Sequence, residues 1–382
     1  MQNEFEIVAK TFQGLEDILR NEVKQLGITK VEKRTRSVKF KGDWKTVYKA
    51  NLHLRTAVKI LVKIGRAQVT NANQLYNAVK KINWSRYISL HQTFSIETIG
   101  YTPFFKNTMF INQKAKDAIA DQFREKYNLR PSIEKHNPDL PITLQFNKAK
   151  MNIYLNTSGA PLFKRGYKKE RTVKAPLNEI LAAAILQISK WDKNSPLIDP
   201  MCGSGTIPIE AALYAYNIPS NFYRIDFAFK NWKNFDMDLW TSIRDELSFR
   251  TFNERKDKKI IYGSDISEEA VVIAQQNASS YYNLARYIDF KVADFFDLKP
   301  EFDKATVIFN PPYGIRLSIK DRNTFYRAIG NKIKKDLVNY DVWIYTMEDS
   351  GIKNIGLKPL DKINLDNANL KAFLYHFKYE GK

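Results

Sequence analysis

Cysteine is nearly absent. The 382 residues hold one, Cys202, which excludes an internal disulfide and any zinc site built on a cysteine cluster. Histidine is scarce as well. His53, His91, His136 and His376 stand apart without the spacing of metal ligands, so no metal is expected. No apolar run approaches the ~20 residues that cross a bilayer, so no membrane span is expected either. The opening Met1-Gln2-Asn3-Glu4-Phe5-Glu6 reads as neither a signal nor a transit peptide, and the expected location is cytoplasmic. Acidic residues are the remaining shortage: 41 Asp and Glu face 61 Lys and Arg, a net charge of +20. Residues 1–160 carry +14 of it, from 27 basic and 13 acidic side chains. Within Lys30–Arg66, 12 basic residues meet only Glu32 and Asp43. A solvated face gives such runs too, but the interleaved Phe40, Trp44 and Tyr48 fit a polyanion surface better. Nucleic acid is the expected partner, and an anionic membrane surface comes a distant second.

The hydrophobic pattern alternates between strand and helix periods. In residues 1–66, alternating strands flank helices at Gly14–Leu26 and after Asp43, in the order of a ferredoxin-like unit. Residues 67–158 add a helix over Asn73–Ile82, a strand at Phe94–Ile99 and a long helix over Thr108–Tyr127. Strands at Ile142–Phe146 and Met151–Leu155 close that segment. Residues 159–177 read as a basic, aromatic connector. From Asn178 to the end the pattern is that of a doubly wound α/β domain. Its strands are expected at Leu197-Ile198, Lys259–Tyr262, Ile288–Val292, Ala305–Phe309 and Asp341–Thr346. The last apolar segments, Ile352–Leu357 and Ala372–Phe377, lack a helix between them and predict an antiparallel hairpin.

Asn310-Pro311-Pro312-Tyr313-Gly314 follows the strand Ala305–Phe309. Two prolines end the strand and lock an extended loop at its carboxyl end, where open α/β sheets bind ligands. The Asn310 side-chain oxygen and the Pro311 carbonyl can both accept from one exocyclic amine, and Tyr313 can stack on a base. A chance Asn-Pro-Pro turn explains the same pentapeptide without function. Upstream, Asp199-Pro200-Met201-Cys202-Gly203-Ser204-Gly205-Thr206 joins a strand to a helix. Its glycines let backbone amides approach a ligand at a helix N-terminus. It lacks the Gly-Lys-Ser/Thr of a P-loop, and Pro208 stands where a dinucleotide fingerprint wants glycine. The third use is the methionine end of S-adenosylmethionine, its carboxylate on the amides and its ammonium facing Asp199. Asp265 and Asp294, at the next two strand ends, can accept from ribose hydroxyls and from the adenine amine. Each acid alone reads as a helix cap; in succession, with Asn310 after them, they read as a cofactor site.

With these motifs the chain resembles class I methyltransferases that carry an N-terminal THUMP domain and modify guanine N2 in RNA. Bacterial 23S rRNA guanine-N2 methyltransferases are the most similar group. The likeness extends over Asn51–Ala57, Leu75–Trp84, Ser158-Gly159, Arg165–Tyr167, Ala175–Leu177 and the two motifs above. It implies a ferredoxin-like subdomain at 1–66, a THUMP RNA-binding domain at 67–158 and a Rossmann-like methyltransferase domain at 178–382. The implied cofactor is S-adenosylmethionine, held by Asp199, Pro200, Cys202, Gly203, Gly205, Thr206, Asp265, Ile266, Asp294, Phe295 and Asn310. The implied catalytic residues are Asn310, Pro311, Pro312 and Tyr313. Ribosomal RNA is expected ahead of tRNA as substrate, and the oligomeric state stays open, a monomer included. The Asn-Pro-Pro-Tyr tetrapeptide also serves enzymes acting on adenine N6, so a DNA adenine methylase is a lesser alternative. Asp199 and Asp265 lie 66 residues apart, against roughly 20 in a minimal sheet of this kind. The excess, residues 217–257, reads as an insertion packing beside the substrate cleft. Its aromatics are Phe222, Phe229, Trp232, Phe235, Trp240 and Phe249, each of which also reads as a piece of core.

Overall fold

The computed structural model describes residues 4–168, 176–253, 259–280, 284–299, 301–312, 319–366 and 370–381. Two compact units emerge. One comprises Met1–Thr11, Leu19–Leu162 and Arg224–Leu247; the other comprises Phe12–Ile18, Phe163–Tyr223 and Ser248–Lys382.

The strands of the first unit are β1 (Phe5–Lys10), β2 (Glu32–Arg34), β3 (Ser37–Gly42), β4 (Lys59–Gln68), β5 (Thr93–Tyr101), β6 (Ser132–Ile133), β7 (Leu140–Asn147) and β8 (Lys150–Asn156). Its helices include α1 (Glu16–Gln25) from Leu19 onward, α2 (Trp44–His53), α3 (Ala72–Lys80) and α4 (Thr108–Tyr127). Asp43, Asn71 and Asn107 begin α2, α3 and α4 by accepting from a backbone amide three residues on, which satisfies one of the orphan donors of each first turn. All eight strands join one sheet, in the order β2-β3-β1-β4-β8-β7-β5-β6. The seam between the ferredoxin-like and THUMP-like segments is the antiparallel pair β4–β8, with a register shift between Lys63 and Gly65. A buried network reinforces the seam: Asn51 Nδ2 donates to Thr157 Oγ1 at 2.9 Å, and Ser158 Oγ donates to Asn51 Oδ1 at 2.6 Å.

Residues 224–247 complete this unit. Phe229 and Trp240 pack on Tyr48 of α2 with ring centroids 4.7 and 5.7 Å apart, and Trp232 lies edge-on to Trp44 at 6.0 Å. Such pairs each add about 0.5–1.5 kcal/mol beyond their area. Arg224 donates to the carbonyls of Ser158, Ala160, Pro161 and Asp226 at 2.7–3.0 Å. The segment expected beside a substrate cleft thus buries its rings in the N-terminal core, because α2 offers an aromatic face that must be covered. Phe222 belongs to the second unit, and the Phe249 side chain lies outside what is described.

The second unit contains α5 (Glu179–Ile188), β9 (Leu197–Asp199), α6 (Thr206–Ala215), β10 (Ile261–Asp265), α8 (Glu268–Ser280), β11 (Ile288–Val292), β12 (Thr306–Phe309), α9 (Ile319–Asp336), β13 (Asp341–Met347), β14 (Asp361–Asn364) and β15 (Ala372–Phe377); α7 (Met237–Asn253) bridges both segments of the division. The sheet order is β11-β10-β9-β12-β13-β15-β14. All pairings are parallel except β13–β15 and β14–β15. The order reverses at β9, which has β10 on one side and β12 on the other. A crevice opens at such a switch point, outside the carboxyl ends of the strands. The hairpin that ends the sheet is β14–β15. Its first strand is the polar edge segment Asp361–Asn364 instead of Ile352–Leu357, where Ile352 and Ile355 lie three apart on a 3-10 turn and pack into the core beside α9. No described helix is long and apolar enough to cross a membrane.

Candidate active site

A cavity of about 500 Å³ opens at the switch point. Asp199 ends β9, Asp265 ends β10, Asp294 follows β11 and Asn310 follows β12, and all four line it. Pro200, Cys202, Gly203, Thr206, Ile266, Phe295, Pro311 and Pro312 line it as well. Gly205 does not. It caps α6 at φ +79°, and a Cβ there would sit 2.9 Å from Ala274 Cβ on α8. Glycine is therefore required by the turn and by close helix packing. Tyr313 lies outside the described residues.

The loop between β9 and α6 is tied down from several directions. The Cys202 amide donates to the Ser264 carbonyl, the Gly205 amide to the Cys202 carbonyl, and the Gly203 amide to Asp265 Oδ2 at 2.9 Å. Asn277, buried on α8, donates to the Ser204 carbonyl at 3.0 Å. Several amides expected to face a ligand are thus engaged within the protein. Asp265 also accepts the Ser267 amide on Oδ1 at 3.0 Å, which leaves each carboxylate oxygen one further lone pair. Asp294 is both a cap and a wall: its Oδ1 accepts the Phe296 amide at 2.9 Å while the residue borders the cavity.

Asp199 is only 1% exposed, and its visible partner is the Met201 amide at 3.3 Å. Burial, reinforced by the nearby Asp265 charge, pushes its carboxyl well above the usual range despite that hydrogen bond. A cation placed beside it would reverse the trend. Burial and the same two carboxylates push the Cys202 thiol up, which disfavours the thiolate in this cavity wall. Asn310 Oδ1 is buried and has no hydrogen-bond partner among the described residues.

Several supporting residues escaped the sequence. Arg165 and Tyr167, read there as connector, are fully buried, and both bond Glu210 of α6, at 3.3 and 3.2 Å. Burial next to Glu210 pushes the Tyr167 hydroxyl far up, so it stays a donor. Lys332, 8% exposed on α9, donates to the Phe296 carbonyl at 2.7 Å and pairs with Asp336 at 2.9 Å. It pins the turn that carries Asp294. Phe296 and Phe325 meet edge-on at 5.9 Å in the cavity wall. A lysine four residues before an aspartate is a common surface pair on any helix, so no local signal marked Lys332.

Residues 165–375 match the family described as RMKL-like, methyltransferase domain, more than half of the chain. The protein belongs to that family. Residues 6–61 match the RlmL ferredoxin-like domain and residues 69–156 the THUMP domain. A Shewanella frigidimarina protein named ribosomal RNA large subunit methyltransferase K/L is 35% identical over 96% of the chain and 52% of its own length. The chain therefore spans about half the length of the K/L relatives it matches. A Synechocystis protein named as an RNA methyltransferase is 32% identical over 97% of the chain and 96% of its own length. Among solved structures, SMU.472, described as a methyltransferase and crystallised with S-adenosylhomocysteine, superposes with a TM-score of 0.86 at 30% identity, covering 99% of both chains. A Listeria monocytogenes protein described as an N6-adenine-specific DNA methylase does so at 0.86 and 29%, covering 99% of this chain and 97% of its own. TrmN from Thermus thermophilus, at 17% identity and 0.70, shares the fold.

Proposed function

We propose that this methyltransferase, with S-adenosylmethionine as its cofactor, methylates the exocyclic N2 amine of a guanine in RNA, ribosomal RNA ahead of tRNA. The observation that carries the reading is the buried Oδ1 of Asn310 at the cavity edge, which has no hydrogen-bond partner among the described residues. Leaving such an acceptor unsatisfied costs about 1–3 kcal/mol, and an incoming amine supplies the missing donor. RNA is supported by the basic N-terminal half, the THUMP match and the names of the K/L and Synechocystis relatives.

The cavity suits the cofactor chemically. Asp199 would face an ammonium group, a cationic partner that none of the described residues gives its buried carboxyl. Asp265 keeps lone pairs for ribose hydroxyls, and Asp294 keeps its second oxygen for an adenine amine. The bound cofactor supplies a methyl group on a sulfonium. The protein's own part is positioning. Asn310 Oδ1 and the Pro311 carbonyl each accept one N–H of the target amine, drawing its nitrogen towards tetrahedral geometry and aiming its lone pair across the cleft. Held orientation is worth ~7–11 kcal/mol in favourable cases, and fixed dipoles stabilise the nitrogen as it becomes positive. The methylated ammonium releases its proton to water, so no strong base is needed. A paired target base must first be flipped out, at a cost of a few kcal/mol.

The Listeria relative's name supports a second reading, with adenine N6 on the same two acceptors. Incubating the protein with rRNA, tRNA or duplex DNA and isotope-labelled cofactor, then resolving the nucleosides by mass spectrometry, separates them. N2-methylguanosine from rRNA is the expected product. Label appearing only in N6-methyladenosine would replace the guanine reading.

A further inference from the structure

Four large apolar side chains of the N-terminal unit crowd one end of its sheet. Tyr101, which ends β5, is 68% exposed, Met109 is 69% exposed, and Phe104 and Phe110 are each 45% exposed. They lie on the end of β5, the loop after it and the first turn of α4, and that stretch has a firm base. Tyr101 pairs with Asn147 across β5 and β7, and its carbonyl accepts the Lys148 amide at 2.8 Å. Phe105 packs on Phe110 and on Phe146, each at 6.1 Å, and anchors the loop before α4 to the core. Gly100 makes the strand end possible: its φ is +87°, and a Cβ there would meet the Phe146 carbonyl oxygen at 2.1 Å.

The charge around the rings has one sign. No Asp or Glu occurs between Glu97 and Asp117, nor between Asp139 and Glu170. Lys106 lies in the loop, Lys148 lies on the β7–β8 turn, and Lys150 begins β8, where it faces Gln68 at the end of β4. Exposed aromatic faces among lysines match bases and phosphates together. An A-form duplex hides its base faces and presents only phosphates and groove edges, so it leaves the rings unused.

We propose that this sheet end is a stacking platform for an unpaired stretch of RNA, with bases on Tyr101, Phe104 and Phe110 and phosphates on Lys106, Lys148 and Lys150. The proposal rests on the RNA reading above and adds where, and in which form, the strand is gripped. It is distinct from the methyl-transfer cavity, none of whose lining residues it uses.

The test uses the full chain and fluorescence anisotropy. The probes are a fluorescein-labelled oligouridylate of about 12 nucleotides, within the usual range for one single-strand module, and an RNA duplex of the same length. Wild type is expected to prefer the single strand. Tyr101→Ser with Phe104→Ser should weaken single-strand binding about 10- to 100-fold, as loss of stacking does. Duplex binding should stay within about 2-fold and the salt slope should be kept. Lys106→Glu with Lys148→Glu should weaken both probes and flatten the slope. Tyr101→Phe should bind as wild type, and thermal melts check that each variant folds. Serine variants that bind the single strand like wild type overturn the proposal, as do variants that lose both probes equally. Serine variants that abolish self-association in light scattering, or binding to anionic vesicles, while keeping RNA affinity assign the surface to another partner and overturn it too. A wild-type chain that binds neither RNA but still takes up S-adenosylmethionine sinks the RNA reading along with the platform; intact RNA binding with indifferent serine variants sinks the platform alone.

Discussion

In the N-terminal unit carboxylates are scarce and lysines are spread over a broad sheet, whereas in the C-terminal unit three carboxylates stand at successive strand ends around one cavity. The contrast follows from sheet topology. The first sheet is largely antiparallel, with short hairpins at β2–β3 and β7–β8, so it has no switch point that gathers side chains from many strands. It can offer a surface. The second sheet is parallel around β9, and its crossovers send the carboxyl ends of β9, β10, β11 and β12 to the same crevice. A polyanion is held by many weak contacts, while a single reacting amine needs a few fixed ones.

The largest effect that separates the two halves should come from Asn310→Ala. We expect kcat to fall by at least ~10²-fold, the scale of losing one hydrogen-bonding group used in the transition state. Cofactor affinity by calorimetry and the melting temperature should stay near wild type. A parallel fall in all three would reduce Asn310 to a turn residue.

Next is Asp265→Ala, expected to weaken cofactor binding by ~1–3 kcal/mol while leaving RNA affinity unchanged. Its mirror is Lys41→Glu with Lys45→Glu, expected to weaken RNA binding and lower the salt slope by about one per lysine, with cofactor binding untouched. Cross-effects of similar size in both assays would dissolve the division of labour.

A smaller effect is expected at Lys332. Lys332→Met should raise KM for the cofactor several-fold with little change in kcat, because the ammonium holds the Phe296 carbonyl and touches no substrate. Partial recovery in Lys332→Arg would separate a hydrogen-bonding role from simple packing. An unchanged KM in both variants would remove Lys332 from the site's support.

The smallest effect is a pH dependence at Asp199. Its pKa is higher in the folded than in the unfolded state, so the folded protein binds the extra proton. That contribution to stability is complete below the ordinary aspartate range and is lost as pH rises through the raised folded value. Asp199→Asn does not titrate. The melting temperature of the cofactor-free variant, relative to wild type, should therefore climb with pH above the ordinary range. Parallel curves would mean that Asp199 is ionised throughout.

Much of the cavity was legible because its signals are local. A strand end, a glycine turn and an Asn-Pro-Pro stop each lie within a few residues, and the doubly wound pattern predicts that they converge. Asp199, Asp265, Asp294 and Asn310 were read this way. Long-range features were not legible. Nothing in the alternation of β4 says that it pairs with β8, some ninety residues on in sequence. Nothing in a basic connector says that Arg165 is buried against Glu210. The internal bonds of Asp265 and Gly203 also needed coordinates, since sequence shows which groups are present but not which are already satisfied.

The burial of residues 224–247 against α2 bears on how the chain is made. As synthesis proceeds, Trp44 and Tyr48 emerge early, but Trp232 and Trp240 follow only after the cofactor loop and α6. The first unit therefore cannot close its core when its last sheet strand, β8, has left the ribosome. A fragment ending near Leu162 would expose the aromatic face of α2 and lack Arg224 for the carbonyls of Ser158, Ala160 and Pro161. The N-terminal half in sequence therefore lacks part of its own core, and separating the two functions experimentally calls for point substitutions in the intact chain.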